Sequence, residues 1–444
     1  AAAEAAGIGH FFAFGEVFDQ QHGPRFSSEF STRGQLQSAI DFTFQIAARD
    51  FASQDGATNT LREFFEADDY YTDADSNAYA MPTFVGNHDM GRIGYFLQHV
   101  DQPTADDSEL LARSKLAQAL MYFTRGQPVI YYGDEQGFTG DGGDKLARQD
   151  MMPSLVAEYN DDDLIGTSAT TADDNFDATH PIYQALADYG AAYSDHPALR
   201  TGAQIHRHSQ AGPGIYAFSR IDRTEQIEYL VAFNNATAAA QATFRTFSPD
   251  TTFSLVISEG GAPAALTADG SGEVTMNVAP FGLAVYRADA PIPANPTAPG
   301  ITITSLTDGQ EVTLGVENLD GHDVVDRIEV AADVTGNVFA EVTFAASING
   351  GDYTPIGTDD NPPYRVFYPV TDLPDGATVS FKAIVDDLSG NLNADKVTDI
   401  VPTVESPEPP VGGGDEPYAV IHYLRDDGDY GDHTTGDYND YWLG

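Results

Sequence analysis

Residues 11–19 read FFAFGEVFD, and residues 84–89 read FVGNHD. In each stretch an apolar run leads into a carboxylate, Glu16 in the first and Asp89 in the second. Apolar runs that end in an acid are typical of the strands of a parallel barrel, which present catalytic groups at their carboxyl ends. A pair of such carboxylates is also the usual equipment for cleaving a glycosidic bond. The two stretches therefore predict a parallel βα fold and make glycosidic cleavage a hypothesis.

Short apolar runs alternate with helix-like stretches as far as residue 193, which is the pattern expected of βα units. Strands are predicted at 9–16, 39–44, 81–87 and 128–132, with helices that include 47–51, 61–65 and 108–123. Four strands with their helices make half of an eightfold barrel, and a sheet of four strands cannot close on itself.

The pattern changes after residue 193, where helical spacing stops and short alternating runs begin. Two antiparallel β-sandwiches are predicted, with Pro-rich and Gly-rich linkers. The predicted parts are a half barrel at 1–193, an all-β domain at 194–289, a linker at 290–299, an immunoglobulin-like sandwich at 300–403, a second linker at 404–416 and a short last segment at 417–444. The predicted fold class is therefore multidomain, a partial (β/α)8 barrel followed by antiparallel β-sandwich domains.

The chain carries 68 acidic and 21 basic residues, which gives a formal net charge of −47. Such a charge excludes affinity for nucleic acid or for an anionic membrane. No run of about 18 apolar residues is present that could span a membrane. Because the acids are spread along the whole chain, we expect adaptation to high salt, with an ordinary acidic secreted protein as the alternative. The absence of cysteine excludes disulfides and thiolate metal sites.

Each candidate acid has a catalytic and a structural interpretation. The aromatic residues around Glu16 would desolvate its carboxyl and favour the protonated form that a general acid needs, but Glu16 could equally face water at a strand end. His88 and Asp89 could hold a sugar hydroxyl and oppose positive charge, or they could form a structural hydrogen bond.

A third stretch, residues 126–135 (GQPVIYYGDE), completes a pattern that resembles the α-amylase superfamily, glycoside hydrolase family 13. The three stretches resemble that family's fifth-, seventh- and eighth-strand motifs, and residues 142–151 resemble the loop after its eighth strand. The resemblance covers about residues 7–288. It implies barrel strands five to eight, an α-glucan polysaccharide or oligosaccharide as substrate, cleavage of α-1,4 bonds with retention, and secretion.

The resemblance also implies roles for individual residues. Glu16 would be the general acid/base, and Asp89 would be the transition-state stabiliser. His88 and Arg92 would bind the sugar next to the cleaved bond, and Phe18, beside the proposed acid, would contact the substrate.

One part of the family's site has no match here. The family's nucleophilic Asp lies in a Gly-x-Arg-x-Asp motif on the fourth strand, and no such motif precedes Glu16. The family's Ca²⁺ is expected in the intact enzyme, with ligands mostly outside this chain. We therefore expect a fragment of a longer enzyme that is inactive by itself.

Residues 418–423 (YAVIHY) resemble the opening strand of the starch-binding module of pullulanases. His422, Tyr423 and Trp442 are the candidate sugar-stacking residues there, because aromatic faces suit the apolar C–H faces of glucose. The acids at 426–432 lack the spacing of a calcium loop, and no metal site is predicted within the chain.

Several alternatives remain open at this point. The parent protein could be a debranching or transglycosylating member of the same superfamily, or a non-catalytic polysaccharide-binding protein. An inverting mechanism that uses only Glu16 and Asp89 would need no third acid. The oligomeric state is not determined by the sequence.

Overall fold

The computed structural model describes residues 6–7, 12–34, 36–319 and 321–405. Up to residue 201 these residues are mainly helical. The α-helices among them are α1 (Pro24–Ser28), α2 (Phe42–Ser53), α3 (Thr58–Glu66), α4 (Ile93–Tyr95), α5 (Asp107–Phe123), α6 (Ala157–Asn160), α7 (Pro181–Asp195) and α8 (Pro197–Thr201). Short 3₁₀-helices occur at Ala67–Tyr71, Ala78–Ala80, Asp134–Gln136 and Asp144–Ala147, and π-helical turns occur at Glu29–Arg33 and Phe96–Asp101.

The longer helices begin at side-chain caps and bury one face. Asp41 accepts a hydrogen bond from the backbone N–H of Phe44 at the start of α2, and Asp106 accepts one from Glu109 at the start of α5. The apolar face of α5, which includes Leu116 and Leu120, is buried. The helix predicted at 108–123 is therefore present almost residue for residue.

A small parallel sheet lies among these helices. Strand β1 (Pro82–Thr83) pairs in parallel with β2 (Gln127–Pro128). Single parallel bridges extend this pairing from Thr83 to Asp41 and from Ala39 to Gly15. Four segments, in chain order, therefore run side by side in the same direction.

The next part is a six-stranded antiparallel sheet in the order β3-β4-β5-β10-β7-β8, with β6 and β9 paired separately. Its strands are β3 (Ala203–His208), β4 (Ile215–Ile221), β5 (Glu228–Asn234), β6 (Ala240–Arg245), β7 (Thr252–Glu259), β8 (Ala265–Thr267), β9 (Glu273–Val278) and β10 (Leu283–Ala288). Strands β4 and β5 are buried along their whole length. One hydrophobic core joins this sheet to α2, α5 and α7.

Residues 301–404 form a three-stranded sheet (β11-β15-β18), a five-stranded sheet (β12-β20-β19-β16-β17) and the hairpin β13-β14. The strands are β11 (Ile301–Ile303), β12 (Glu311–Leu314), β13 (Val316–Leu319), β14 (His322–Val325), β15 (Ile328–Val334), β16 (Glu341–Ile348), β17 (Thr354–Asp359), β18 (Tyr364–Tyr368), β19 (Val379–Asp386) and β20 (Leu392–Val404). Val330, Phe344 and Phe381 contribute to a single core formed by both larger sheets. The immunoglobulin-like label stays a prediction.

The described residues from 6 to 405 belong to one compact unit. Arg365 of β18 donates to Asp69 at 2.6 Å, and the Tyr70 ring stacks on Phe367 with 3.8 Å between centroids. Residues beyond 300 therefore pack directly on the helical part, and the predicted domain boundaries stay predictions. Among the described residues, no helix is both long and apolar enough to cross a bilayer.

Candidate active site

The parallel segments bring the candidate acids to one edge of the sheet. Glu16 follows Gly15, which pairs with Ala39, and residues 87–89 follow β1 after a short connection. Because neighbouring parallel segments end at the same edge, the topology places Glu16 and Asp89 at a common carboxyl-terminal edge.

A row of aromatic rings connects the two acid-bearing stretches. The Phe18 ring contacts Phe42 edge-on at 4.8 Å between centroids, and Phe42 contacts Phe84 in the same manner at 5.4 Å. Phe42 and Phe84 are buried, whereas Phe18 is 43% exposed. Such edge-to-face contacts hold adjacent segments in register and leave one aromatic face at the surface beside Glu16.

Glu16 itself is exposed. Its neighbours Phe14 and Phe18 are also largely exposed, while Val17 on the other face of the segment is buried in a small cluster with Phe26. Of the two interpretations of Glu16, an enclosed carboxyl and one that faces water, the described residues agree with the second. Alternation along the segment turns Val17 inward and Glu16 outward, because successive side chains of an extended backbone point to opposite faces.

Asp89 is held by a tight turn that Asn87 organises. The Asn87 side-chain oxygen accepts hydrogen bonds from the backbone N–H groups of Asp89, at 3.0 Å, and Met90, at 2.7 Å. Backbone hydrogen bonds between Asn87 and Gly91 in both directions close the turn. The motif thus uses its Asn for backbone geometry, and it leaves the next two side chains available for chemistry.

His88 and Asp89 form a partly exposed pair. His88 Nε2 lies 3.2 Å from Asp89 Oδ2, and the two side chains are 45% and 35% exposed. The His88 ring also approaches the Tyr131 ring at 6.4 Å. The pair is within reach of solvent and of any ligand at this edge, which is what binding and charge stabilisation require.

Arg92 is buried, whereas the family resemblance implied a position beside the substrate. It is fully buried, and its Nη1 donates to the Tyr132 carbonyl at 2.8 Å and to Asp134 Oδ1 at 2.7 Å. Its guanidinium lies 4.4 Å from the Tyr131 ring centroid. Direct contact of Arg92 with a sugar stays a prediction. In this structure Arg92 contacts Tyr131 and Tyr132.

Burial changes the titration of groups around Arg92. Burial raises the pKa of Asp134 to about 6, although Arg92 opposes the shift. Burial, together with the neighbouring Tyr132, raises the pKa of Tyr131 to about 12. Tyr131 therefore stays a neutral phenol at the working pH and can donate a hydrogen bond.

The loop after β2 packs closely on the Asp89 turn. A Cβ built on Gly91, whose φ is +91°, would lie 3.1 Å from the Gly142 carbonyl oxygen, and one built on Gly143 would lie 2.4 Å from the Asp89 carbonyl oxygen. Only glycine permits this approach of the two backbones. The 142–151 stretch thus lies against the candidate site.

One group of acids could hold a metal ion. Asp141, Asp161 and Asp162 each offer a carboxylate oxygen, and these oxygens lie within 4.8 Å of one another. No other such group occurs among the described residues. This group of acids was not predicted from the sequence. Its trace there is the run of Asp at 161–163, which lacks the spacing of a metal-binding loop.

The other predicted sugar contacts, His422, Tyr423 and Trp442, lie outside the described residues. Their role in starch binding stays a prediction.

A family model described as the α-amylase catalytic domain matches residues 2–232, just over half of the chain. The chain belongs to the α-amylase family. An α-amylase of Streptomyces lividans is 41% identical over 381 residues, which are 86% of this chain and 39% of that protein. A beta/alpha-amylase of Paenibacillus polymyxa is 27% identical over 237 residues, 53% of this chain and 16% of that protein.

The chain therefore spans about two fifths or less of the length of these curated α-amylase relatives. Among solved structures, an Anoxybacillus α-amylase aligns with a TM-score of 0.49 at 20% identity, over 66% of this chain and 55% of that one.

The predicted fold class, a half barrel of strands five to eight followed by separate sandwiches, is wrong. The match to the α-amylase catalytic domain already begins at residue 2, and it continues past the predicted boundary at 193 to residue 232, within β5. The physical reason is the shared core, in which residues from Phe44 to Ala288 pack together. Local spacing shows where helices give way to strands, but it does not show that both belong to one core.

Proposed function

We propose that the chain carries the acid/base and the charge-stabilising carboxylate of an α-amylase-type glycoside hydrolase acting on α-1,4-glucans such as starch. The supporting observation is the exposed edge at which Glu16, His88 and Asp89 follow parallel segments of one sheet, with the 39–41 segment between them. Membership of the α-amylase family supports the same assignment.

Each side chain at this edge has a chemical task in the proposal. Glu16 protonates the departing glycosidic oxygen and later removes a proton from the attacking water. Asp89 opposes the positive charge that develops on the sugar ring, and His88 donates a hydrogen bond to a sugar hydroxyl. Phe18 offers an apolar ring face next to Glu16. Arg92 is a positioning residue that holds Asp134 and the Tyr132 carbonyl.

Retention of the anomeric configuration requires a further carboxylate that forms the covalent intermediate. The sequence contains no Gly-x-Arg-x-Asp motif ahead of Glu16, so the nucleophile stays unassigned. If Glu16 and Asp89 alone carried the reaction, the product would be inverted. The anomer released first, followed by NMR, distinguishes the two mechanisms.

The decisive experiment measures hydrolysis of soluble starch and of a blocked maltooligosaccharide by the chain and by its Glu16→Gln variant. Loss of a general acid/base lowers kcat by about 10²–10⁴-fold. Glu63→Gln, on an exposed side chain of α3, removes the same charge and leaves kcat unchanged.

Two results contradict the proposal. Equal rates for the parent and Glu16→Gln would remove Glu16 from the chemistry. A chain that binds starch in a sedimentation assay but releases no reducing ends would instead favour a non-catalytic polysaccharide-binding protein. The family match gives no support to the expectation that the chain is inactive by itself, so this assay begins with the chain as it stands. Pullulan, a linear glucan with α-1,6 bonds, and acceptor sugars in the same assay test α-1,6 cleavage and transglycosylation.

We also propose that the protein is secreted and works in saline surroundings. Starch is a polymer that is degraded where it is met, outside the cell, and a net charge of −47 is tolerated best where salt screens it.

A further inference from the structure

The loop between β2 and α7 gathers three acids from two distant places in the sequence. Asp141 lies near its start, and Asp161 and Asp162 lie after α6. Asp162 is buried, whereas the other two are exposed. Three carboxylates whose oxygens all lie within 4.8 Å repel one another strongly unless a cation or protons compensate.

The spacing of these oxygens suits one calcium ion. Ca²⁺ binds oxygen ligands at about 2.4 Å, so two oxygens on the same ion are never more than about 4.8 Å apart. All three pairs of carboxylate oxygens meet this limit.

A fourth oxygen donor is present, and its bonding is incomplete. Gln149 is fully buried, its Nε2 lies 3.4 Å from Asp162 Oδ2, and its Oε1 has no hydrogen-bond partner among the described residues. Oε1 lies next to Gly140, since a Cβ built there would be 3.2 Å from it. The amide therefore lies between Asp162 and the residue that precedes Asp141.

The orientation of a side-chain amide is assigned from its hydrogen bonds, because its oxygen and nitrogen have similar shape. Turning the Gln149 amide over places its oxygen where the nitrogen is, 3.4 Å from Asp162 Oδ2. Two oxygens bound at right angles to an ion with bonds of about 2.4 Å are separated by about 3.4 Å. In the turned orientation, the buried Gln149 oxygen lies at ligand spacing from Asp162 Oδ2.

We propose that Asp141, Asp161, Asp162 and the Gln149 side-chain oxygen bind one Ca²⁺, with water completing its coordination on the exposed side. The donor set is all oxygen, which suits Ca²⁺ better than Zn²⁺. Asp residues on a surface loop with an irregular arrangement suit Ca²⁺ better than Mg²⁺, which demands near-ideal octahedral geometry.

The site has a structural consequence for the candidate active site. Asp141 is followed directly by Gly142 and Gly143, whose backbones lie against Gly91 and Asp89. An ion that fastens Asp141 to residues 161–162 therefore also fixes the segment that supports the Asp89 turn. The ion acts as a positioning element and takes no part in bond cleavage.

His99 offers the protein its own way to neutralise the cluster. His99 Nε2 lies 3.7 Å from Asp162 Oδ1, so a protonated imidazole could stand in for the ion. The two explanations differ in an experiment, because only the first requires binding of an added metal.

The test uses the chain freed of metal by a chelator and titrated with Ca²⁺ alone, followed by isothermal calorimetry and by the melting temperature. We expect saturable binding and a rise in Tm. Asp162→Asn and the exposed Asp161→Asn should each weaken Ca²⁺ binding by about tenfold or more, because the affinity of such sites follows the number of charged ligands. Asp163→Asn, an exposed acid of the same run outside the ligand set, should leave the affinity unchanged.

A second measurement follows limited proteolysis of residues 140–163. Added Ca²⁺ should slow cleavage of this loop in the parent and in Asp163→Asn, but not in Asp161→Asn. Neither measurement depends on activity, so the ion site can fail while the proposed hydrolase function stands, and the reverse also holds.

Three outcomes overturn the inference. The first is a parent chain that binds no Ca²⁺. The second is full binding stoichiometry and unchanged affinity in both Asp161→Asn and Asp162→Asn, which would locate the ion elsewhere. The third is a Ca²⁺-independent Tm that falls in His99→Gln, which would show that the imidazole neutralises the cluster.

Discussion

At the carboxyl edge of the parallel segments, Asp89 keeps 35% of its side chain exposed and has His88 as a partly exposed partner. Asp41, whose backbone pairs with Thr83, and Arg125, just before β2, are instead 1% and 2% exposed and are joined at 2.6 Å. Arg125 also donates through Nε to Asp68 at 2.6 Å. Charged side chains are thus open to ligands around Asp89 and enclosed around Arg125.

Burial and pairing explain the different roles of the charges around Asp89 and around Arg125. A buried ion pair is costly to break, because the partner left behind is an uncompensated charge in a poorly solvated place. Burial raises the pKa of Asp68 to about 6, against the opposing effect of Arg125. A cavity of about 310 Å³, lined in part by Asp68 and Arg125, lies beside these buried charges and not at the candidate site.

Removing the buried arginine should have the largest effect. Arg125→Met leaves Asp41 and Asp68 without their cation, and we expect a loss of about 3–5 kcal/mol in the free energy of unfolding. Urea unfolding of the variant measures this loss. Arg148→Met, which breaks an exposed pair with Asp144, should cost at most about 1 kcal/mol. Equal losses of unfolding free energy in the two variants would contradict the distinction between buried and exposed charges.

Removing the exposed acid should affect rate and spare stability. Asp89→Asn takes away the charge that opposes the developing cation, and we expect kcat on maltooligosaccharides to fall by about 10²–10³-fold. The melting temperature should stay within error of the parent, because Asp89 is partly exposed. Asp188→Asn, an exposed acid of α7, is the matched control. A variant that melts early with normal kcat would show that Asp89 belongs with the structural charges.

The smallest effect concerns pH. Asp359 of β17 lies beside the pair between Asp69 and Arg365, and burial raises its pKa to about 7. Because this value lies above the ordinary 3.8, folding favours the protonated carboxyl. The stability that this group contributes is present below about pH 4 and is lost as pH rises through about 7.

Asp359→Asn should therefore flatten the fall in Tm between pH 5 and pH 8 by about 2 °C. Only part of the fall should disappear, because burial also raises the pKa of Asp69. Asp352→Asn, an exposed acid of the same region, should leave the slope as it is in the parent. An unchanged slope in Asp359→Asn would show that Asp359 titrates normally in the fold.

Much of the local structure was predictable. Helical spacing at 108–123 predicted α5, and the change to short alternating runs after residue 193 predicted the antiparallel strands that begin with β3. Helical and extended periods differ, so burial of one face leaves a pattern that can be recognised in the sequence. Glu16, His88 and Asp89 were chosen as candidates because they follow apolar runs, and their roles stay predictions.

The side-chain environments were not predictable in the same way. For Glu16 the sequence left open an enclosed carboxyl or one that faces water, and Glu16 is exposed; Arg92, expected on the substrate side, is buried on Asp134. Exposure depends on which distant segments cover a residue, and local sequence does not contain that information. The core shared by helices and sheet also depends on contacts between distant segments. Local sequence therefore did not show that the match to the catalytic domain continues to residue 232.

The sequence by itself determined the apolar runs, the turn at Asn87, the strong negative charge and the family's motifs, since each depends on residues close together in the chain. Tertiary structure alone decided which carboxylates are open, which are sealed against Arg125, and which three meet around Gln149. Asp141 and Asp162 are 21 positions apart in the sequence, and only the path of the loop brings their oxygens within reach of one ion.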